Sequence, residues 1–111
     1  MVSRTFGRPA RGSSTGRPIM VVLDVLGRRG ALRILWELRD GSPLTFRALQ
    51  DACESNPGSL NTRLKDLREL GVVDHDDGGY RLNRGGRELL QTLHSLQAWS
   101  DRWVGSRSGK T

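Results

Sequence analysis

The chain has 111 residues, 35% of them apolar and 27% charged, which leaves room for one packed core and none for a deep enzyme cleft beside it. Three Trp, two Phe and one Tyr are too few for an aromatic-rich sandwich, and the longest apolar run, Ile19 to Leu23, is far short of the roughly twenty residues that span a bilayer. The lone Cys53 excludes an internal disulfide framework and a multi-cysteine zinc site, so the expected setting is the reducing cytoplasm, with no membrane partner and no metal.

The net charge of +6 is unevenly placed: Arg4, Arg8, Arg11 and Arg17 at one end and Arg107 and Lys110 at the other account for all of it. Residues 1–17, rich in Gly, Ser, Pro and Arg without an apolar period, read as a disordered basic tail, and 105–111 as a flexible C-terminal tail. The domain is therefore expected over 18–104, where acids and bases balance, and its function cannot be argued from net charge.

Order begins near Pro18. Ile19, Val22, Leu23 and Leu26 share one helical face, but Met20, Val21 and Val25 make the other side apolar too, so this helix must be covered twice. Ala31, Ile34, Leu35 and Leu38 describe a second helix ending at Asp40-Gly41, and Ser42-Pro43 is a turn. Leu44 and Thr45 can add a very short strand before a third helix marked by Phe46, Leu49, Ala52 and Cys53. Asn56 then suits a helix cap and Pro57 the first helical position, where its missing N–H costs nothing.

The fourth helix places Leu60, Leu64 and Leu67 inward and stops at Gly71. Its other face carries Gly58, Asn61, Thr62 and Lys65, with Ser59 and Arg63 at the edges, and the charges fall mainly in the later turns. Small and amide-bearing groups at the start of a helix suit close approach to another surface. Val72-Val73, a turn at Asp76-Asp77-Gly78-Gly79, and Tyr80-Arg81-Leu82 make a β-hairpin. Asn83 caps a last helix from Arg84 to Val104 in which Leu89, Leu93, Leu96, Trp99 and Trp103 recur, too long for so small a core to cover.

The architecture expected is mainly α with a small β-hairpin wing and a long C-terminal helix, that is, a winged helix-turn-helix. In such a fold the third helix braces the fourth, whose polar face can enter a DNA major groove about 12 Å wide. Ser59, Asn61 and Thr62 are the candidate base readers, Asn61 being able to donate and accept against adenine; Arg63 and Lys65 suit phosphate or guanine, and Arg47 and Arg81 the flanking backbone.

The stretches Leu26-Gly27 through Gly41, Pro43-Leu44-Thr45-Phe46-Arg47-Ala48-Leu49, and Leu60-Asn61-Thr62-Arg63-Leu64-Lys65-Asp66-Leu67-Arg68-Glu69-Leu70-Gly71-Val72-Val73 resemble the HxlR-type winged helix regulators of bacteria. The similarity resumes at Tyr80-Arg81-Leu82-Asn83, Gly86-Arg87 and Trp99 to Trp103. The resemblance implies a homodimeric cytoplasmic transcription regulator joined through its first and last helices, holding two recognition helices on a palindromic operator. Val22, Leu26, Leu93, Leu96, Trp99 and Trp103 are the corresponding interface candidates. Members of that family often place Cys-Pro before the first helix as an oxidant sensor; here Arg17-Pro18 stands there, and that mechanism does not carry over.

Other features read more plainly. Cys53 reads as a small core residue, the alternative being a redox-sensitive thiol. Asp74-His75-Asp76-Asp77 reads as an acidic hairpin turn rather than a metal site, and its acids should keep the wing tip out of a minor groove unless Arg81 or Arg84 offsets them. His94 fits an interface, and Arg28 and Arg29 fit surface or DNA-backbone contacts. No cofactor loop, nucleophile triad or carboxylate pair is present, so no cofactor and no enzymatic activity are expected. If a small effector binds, the seam beside Trp99 and Trp103 is the expected place. The alternatives to a sequence-specific regulator are a winged helix used for protein interaction and a nonspecific binder driven by its basic tail.

Overall fold

A computed structural model describes residues 17–107; the expected tails at 1–16 and 108–111 lie outside the described residues. Helix α1 (Pro18–Leu26) starts at proline and sends Val21, Val25 and Leu26 into the core. Helix α2 (Ala31–Glu37) buries Ala31, Ile34 and Leu35. It ends earlier than the apolar spacing predicts because its last bonds tighten: Arg39 N–H donates to Trp36 O at 3.1 Å and Gly41 N–H to Leu38 O at 3.2 Å, each three residues back. Leu38 is nonetheless fully buried, so the inward face continues through this turn.

Helix α3 (Phe46–Cys53) is capped by Thr45, whose side chain accepts from Ala48 N–H, and buries Leu49. Helix α4 (Pro57–Leu70) begins as its sequence demands, with Asn56 Oδ1 accepting from Ser59 N–H at 2.8 Å. Leu60, Leu64, Leu67 and Leu70 are 5% exposed or less, and each such leucine contributes about 1.5–3 kcal/mol by leaving water.

Strands β1 (Val73–Asp76) and β2 (Gly79–Leu82) pair antiparallel, with Val73 opposite Leu82 and His75 opposite Tyr80. The His75 and Tyr80 rings stack with centroids 3.9 Å apart, which gives His75 a packing role on the hairpin. Leu44 adds one bridge to Tyr80, the very short strand expected before α3. Gly79 has φ +118°, and a Cβ there would press on the Leu44 backbone, so this crossing requires glycine.

Helix α5 (Arg84–Arg107) runs past its expected end at Val104, so Gly105, Ser106 and Arg107 are helical. Asn83 holds its start: Oδ1 accepts from Gly86 N–H at 3.0 Å, and Nδ2 donates to Gly71 O and to Asp74 Oδ1, both at 3.0 Å. Gly86 lies so close to Val72 O that a side chain would collide with it. The core thus forms where α1, α2, α4 and the hairpin meet, with Leu89, Leu90 and Leu93 packed against it from α5. No helix of the described residues is long and apolar enough to cross a membrane.

Candidate nucleic-acid interface

With its four leucines anchored inward, α4 leaves Gly58, Ser59, Asn61, Thr62 and Lys65 exposed on one side. The Asn56 cap spends its oxygen on the Ser59 amide and leaves the Ser59 hydroxyl at the surface beside Asn61 and Thr62. These groups can exchange hydrogen bonds with base edges, and Gly58 lets a partner backbone come close. Arg47, on the first turn of α3, and Lys65 are exposed and form no ion pair among the described residues. Both are thus available to phosphate.

Two candidate contacts are placed differently from the expectation. Arg63 is turned back along its own helix, with Nη1 2.7 Å from Asp66 Oδ2 and only a fifth of its side chain exposed. Arg81 pairs with Asp76 across the hairpin and so neutralises a wing acid instead of standing as an unengaged cation. Arg28, read as a surface or backbone-contact group, is partly exposed but already paired: it bonds Asp24 at 2.7 Å and Asp66 at 3.0 Å. Burial alone would loosen its proton, but the bonds and charges of Asp66 and Asp24 outweigh it and raise the guanidinium above its ordinary value. Asp24, Arg28, Asp66 and Arg63 thereby form a chain of charges that ties α1 to α4. Its two end links are local, four and three residues apart, and only the Arg28–Asp66 bond that joins them spans distant segments, which is the link sequence spacing could not show.

The wing remains acidic at its tip. Asp76 is offset by Arg81 and Asp74 is held by Asn83, whereas Arg84 pairs with Glu88 at 3.4 Å and does not offset the hairpin. Among the described residues, no group of three or more His, Cys, Asp or Glu side chains is arranged to hold a metal ion. Cys53 is half-buried: burial, then Glu37, push its thiol above the ordinary range, and Arg33 only partly counters them. That favours the unreactive thiol over a thiolate sensor.

The expected interface residues divide. Leu26 belongs to the subunit's own core, at 9% exposure, and Val22 and Leu93 pack against that core. Leu96, Trp99 and Trp103 are about half exposed, and so are Val104 and, on the face that spacing gave to Val22 and Leu26, Ile19 and Leu23. On α1 the helix rotates Val21, Val25 and Leu26 inward, so Ile19 and Leu23 form its uncovered apolar side. Trp99 and Trp103 stack one turn apart with centroids at 5.6 Å, and Arg107 lies 5.4 Å from the Trp103 ring centre. His94 is exposed on the same helix.

Residues 31–74, from α2 into β1, match the winged helix-turn-helix DNA-binding family. An uncharacterized HTH-type transcriptional regulator of Methanocaldococcus jannaschii is 26% identical over 89 residues, which cover 76% of this chain and 83% of that protein. Among solved structures, quinone-bound YodB from B. subtilis superposes with a TM-score of 0.71 at 27% identity, covering 76% of this chain and 96% of the other. The chain therefore has a winged helix-turn-helix fold and is similar, over residues 31–74, to a DNA-binding family of that fold and, over most of its length, to an HTH-type transcriptional regulator.

Proposed function

We propose that the protein is a sequence-specific transcriptional regulator that acts in the cytoplasm as a homodimer on palindromic double-stranded DNA. The observation that carries this reading is the division of α4: every leucine is buried in its own subunit, while Ser59, Asn61, Thr62 and Lys65 remain exposed beyond a capped first turn. A helix whose apolar side is fully used has only its polar side to offer. Ser59, Asn61 and Thr62 read bases, and Lys65 and Arg47 hold phosphates on either side of the groove.

The homodimer is supported by the uncovered apolar residues Ile19, Leu23, Leu96, Trp99, Trp103 and Val104. Clusters of large apolar side chains seldom stay in water, and a second copy presents the same surfaces for mutual burial. Two-fold symmetry then sets the half-sites about one helical turn, 34–36 Å, apart.

Selection from a random duplex library tests this directly. Enrichment of an inverted repeat is expected, retained when residues 1–17 are removed and with a shallower salt dependence. Enrichment of no motif would favour a protein-interaction module, and loss of all binding with the tail would favour a tail-driven binder.

A further inference from the structure

Asp66, on the third turn of α4, holds two guanidinium groups at once: Oδ1 accepts from Arg28 Nη1 at 3.0 Å and Oδ2 from Arg63 Nη1 at 2.7 Å. Its side chain is only 14% exposed, so salt and water screen these bonds less than they would a surface pair. Arg28 has a second anchor in Asp24 at 2.7 Å. Arg63 has none: Asp66 is its one acceptor among the described residues, and its Nε is buried without a partner. A single carboxylate therefore decides where the Arg63 guanidinium lies.

That carboxylate draws the side chain against the lean of its helix. The Cα–Cβ bonds of an α-helix tilt toward the N-terminus, so an arginine at position 63 leans toward Ser59, one turn back, about 5.4 Å. Asp66 lies three residues further on and pulls the guanidinium toward the C-terminus instead. Arg63, Ser59 and Asn56 line one cavity of about 420 Å³, which Arg29 and Arg33 also border, so a released guanidinium has space on the N-terminal side. Ser59 stands at the edge of the exposed face that Asn61, Thr62 and Lys65 complete. A cation at that edge meets the wall of a groove, where phosphates lie.

We propose that Asp66 withholds Arg63 from the DNA backbone and so limits the part of duplex affinity that does not depend on sequence. The proposal rests on the reading of α4 as the DNA-facing helix given above. Phosphate contacts strengthen binding to every sequence alike, and a regulator must find its site among a large excess of other DNA. One cation fewer on α4 leaves a larger share of its affinity to Ser59, Asn61 and Thr62.

The test measures binding of the full-length protein to two duplexes of unrelated sequence by fluorescence anisotropy, between about 50 and 200 mM salt. Arg63→Gln is expected to leave affinity and salt slope as in the wild type, whereas Lys65→Gln lowers the slope by about 0.9. Asp66→Asn keeps the shape of the side chain without its charge and is expected to steepen the slope by about 0.9 on both duplexes, so that affinity falls about 3.5-fold more than the wild type's across that salt range. Two double variants of equal net charge locate the effect. Asp66→Asn with Arg28→Gln keeps the steeper slope, and Asp66→Asn with Arg63→Gln returns to the wild-type slope.

An Arg63→Gln protein that loses as much slope as Lys65→Gln would show Arg63 already on the backbone and overturn the proposal, a result that stands even where Asp66→Asn fails to fold. An Asp66→Asn slope equal to the wild type's, a gain that survives Arg63→Gln, or a new guanine preference in a repeated selection also overturns it. Equal wild-type affinity for every sequence, together with the steeper slope of Asp66→Asn, breaks the regulator reading and leaves the role of Asp66 standing. Absence of duplex binding in both proteins overturns both.

Discussion

Helices α4 and α5 both carry leucines at helical spacing, yet they end in opposite states. On α4 every leucine is sealed within the subunit; on α5 only Gly86 is buried, and Leu96, Trp99, Trp103 and Val104 face outward. The difference follows from length and position. The fourteen residues of α4 lie across the core, whereas the twenty-four of α5 leave it after Leu93. An apolar stripe therefore means internal packing in the first helix and an uncovered apolar face in the second.

That contrast can be broken by substitution. Leu64→Ala should cost about 2–5 kcal/mol, because it leaves a cavity among fully buried leucines, and should lower the thermal midpoint without altering subunit association in the folded fraction. Leu96→Glu should do the reverse: a charge on the uncovered face leaves the fold intact and shifts the species seen by sedimentation from dimer to monomer. A monomeric wild type at micromolar concentration, or a Leu96→Glu protein that unfolds, would erase the proposed distinction between the two helices.

Smaller changes sharpen it. Asn61→Ala should remove about 1–3 kcal/mol of discrimination at one base pair of the selected site while leaving the thermal midpoint in place, since its side chain is exposed. Asn56→Ala should cost about 1 kcal/mol of stability by unpairing the Ser59 amide, measured by urea denaturation.

The smallest effect concerns Cys53. Its thiol is raised in the native state, so the folded chain holds the proton more tightly than the unfolded one. The resulting contribution to stability is complete below the pH at which the unfolded thiol ionises, and it is lost as pH rises through the folded value. At pH near 8 the native protein should react with iodoacetamide more slowly than the denatured chain; equal rates would show that neither burial nor Glu37 restrains the thiol.

Much of the framework was legible because it depends on neighbours in sequence. Asn56 with Pro57, Asn83 with Gly86, the leucine period of α4 and the turn before Gly79 are local instructions, settled by hydrogen bonds within a few residues. The same period left α1 undecided, because both its faces are apolar, and packing against α2 and α4 takes Leu26 inward and leaves Ile19 and Leu23 out. The candidate DNA face divides in the same way. Asn61, Thr62 and Lys65 are exposed where helical geometry puts them, but Arg63 and Arg81 are held by Asp66 and Asp76, whose reach depends on rotamers and cross-strand register.

The amino-acid order alone thus determined where helices start, where the hairpin turns and which side of α4 is polar, since each is fixed by short-range sterics and backbone bonding. The tertiary structure decided which apolar face of α1 is spent on the core, that Arg28 reaches Asp66 on α4, and that Arg29 and Arg33 share one cavity with Arg63. Those outcomes depend on distances between segments far apart in the chain, and no local pattern encodes such distances.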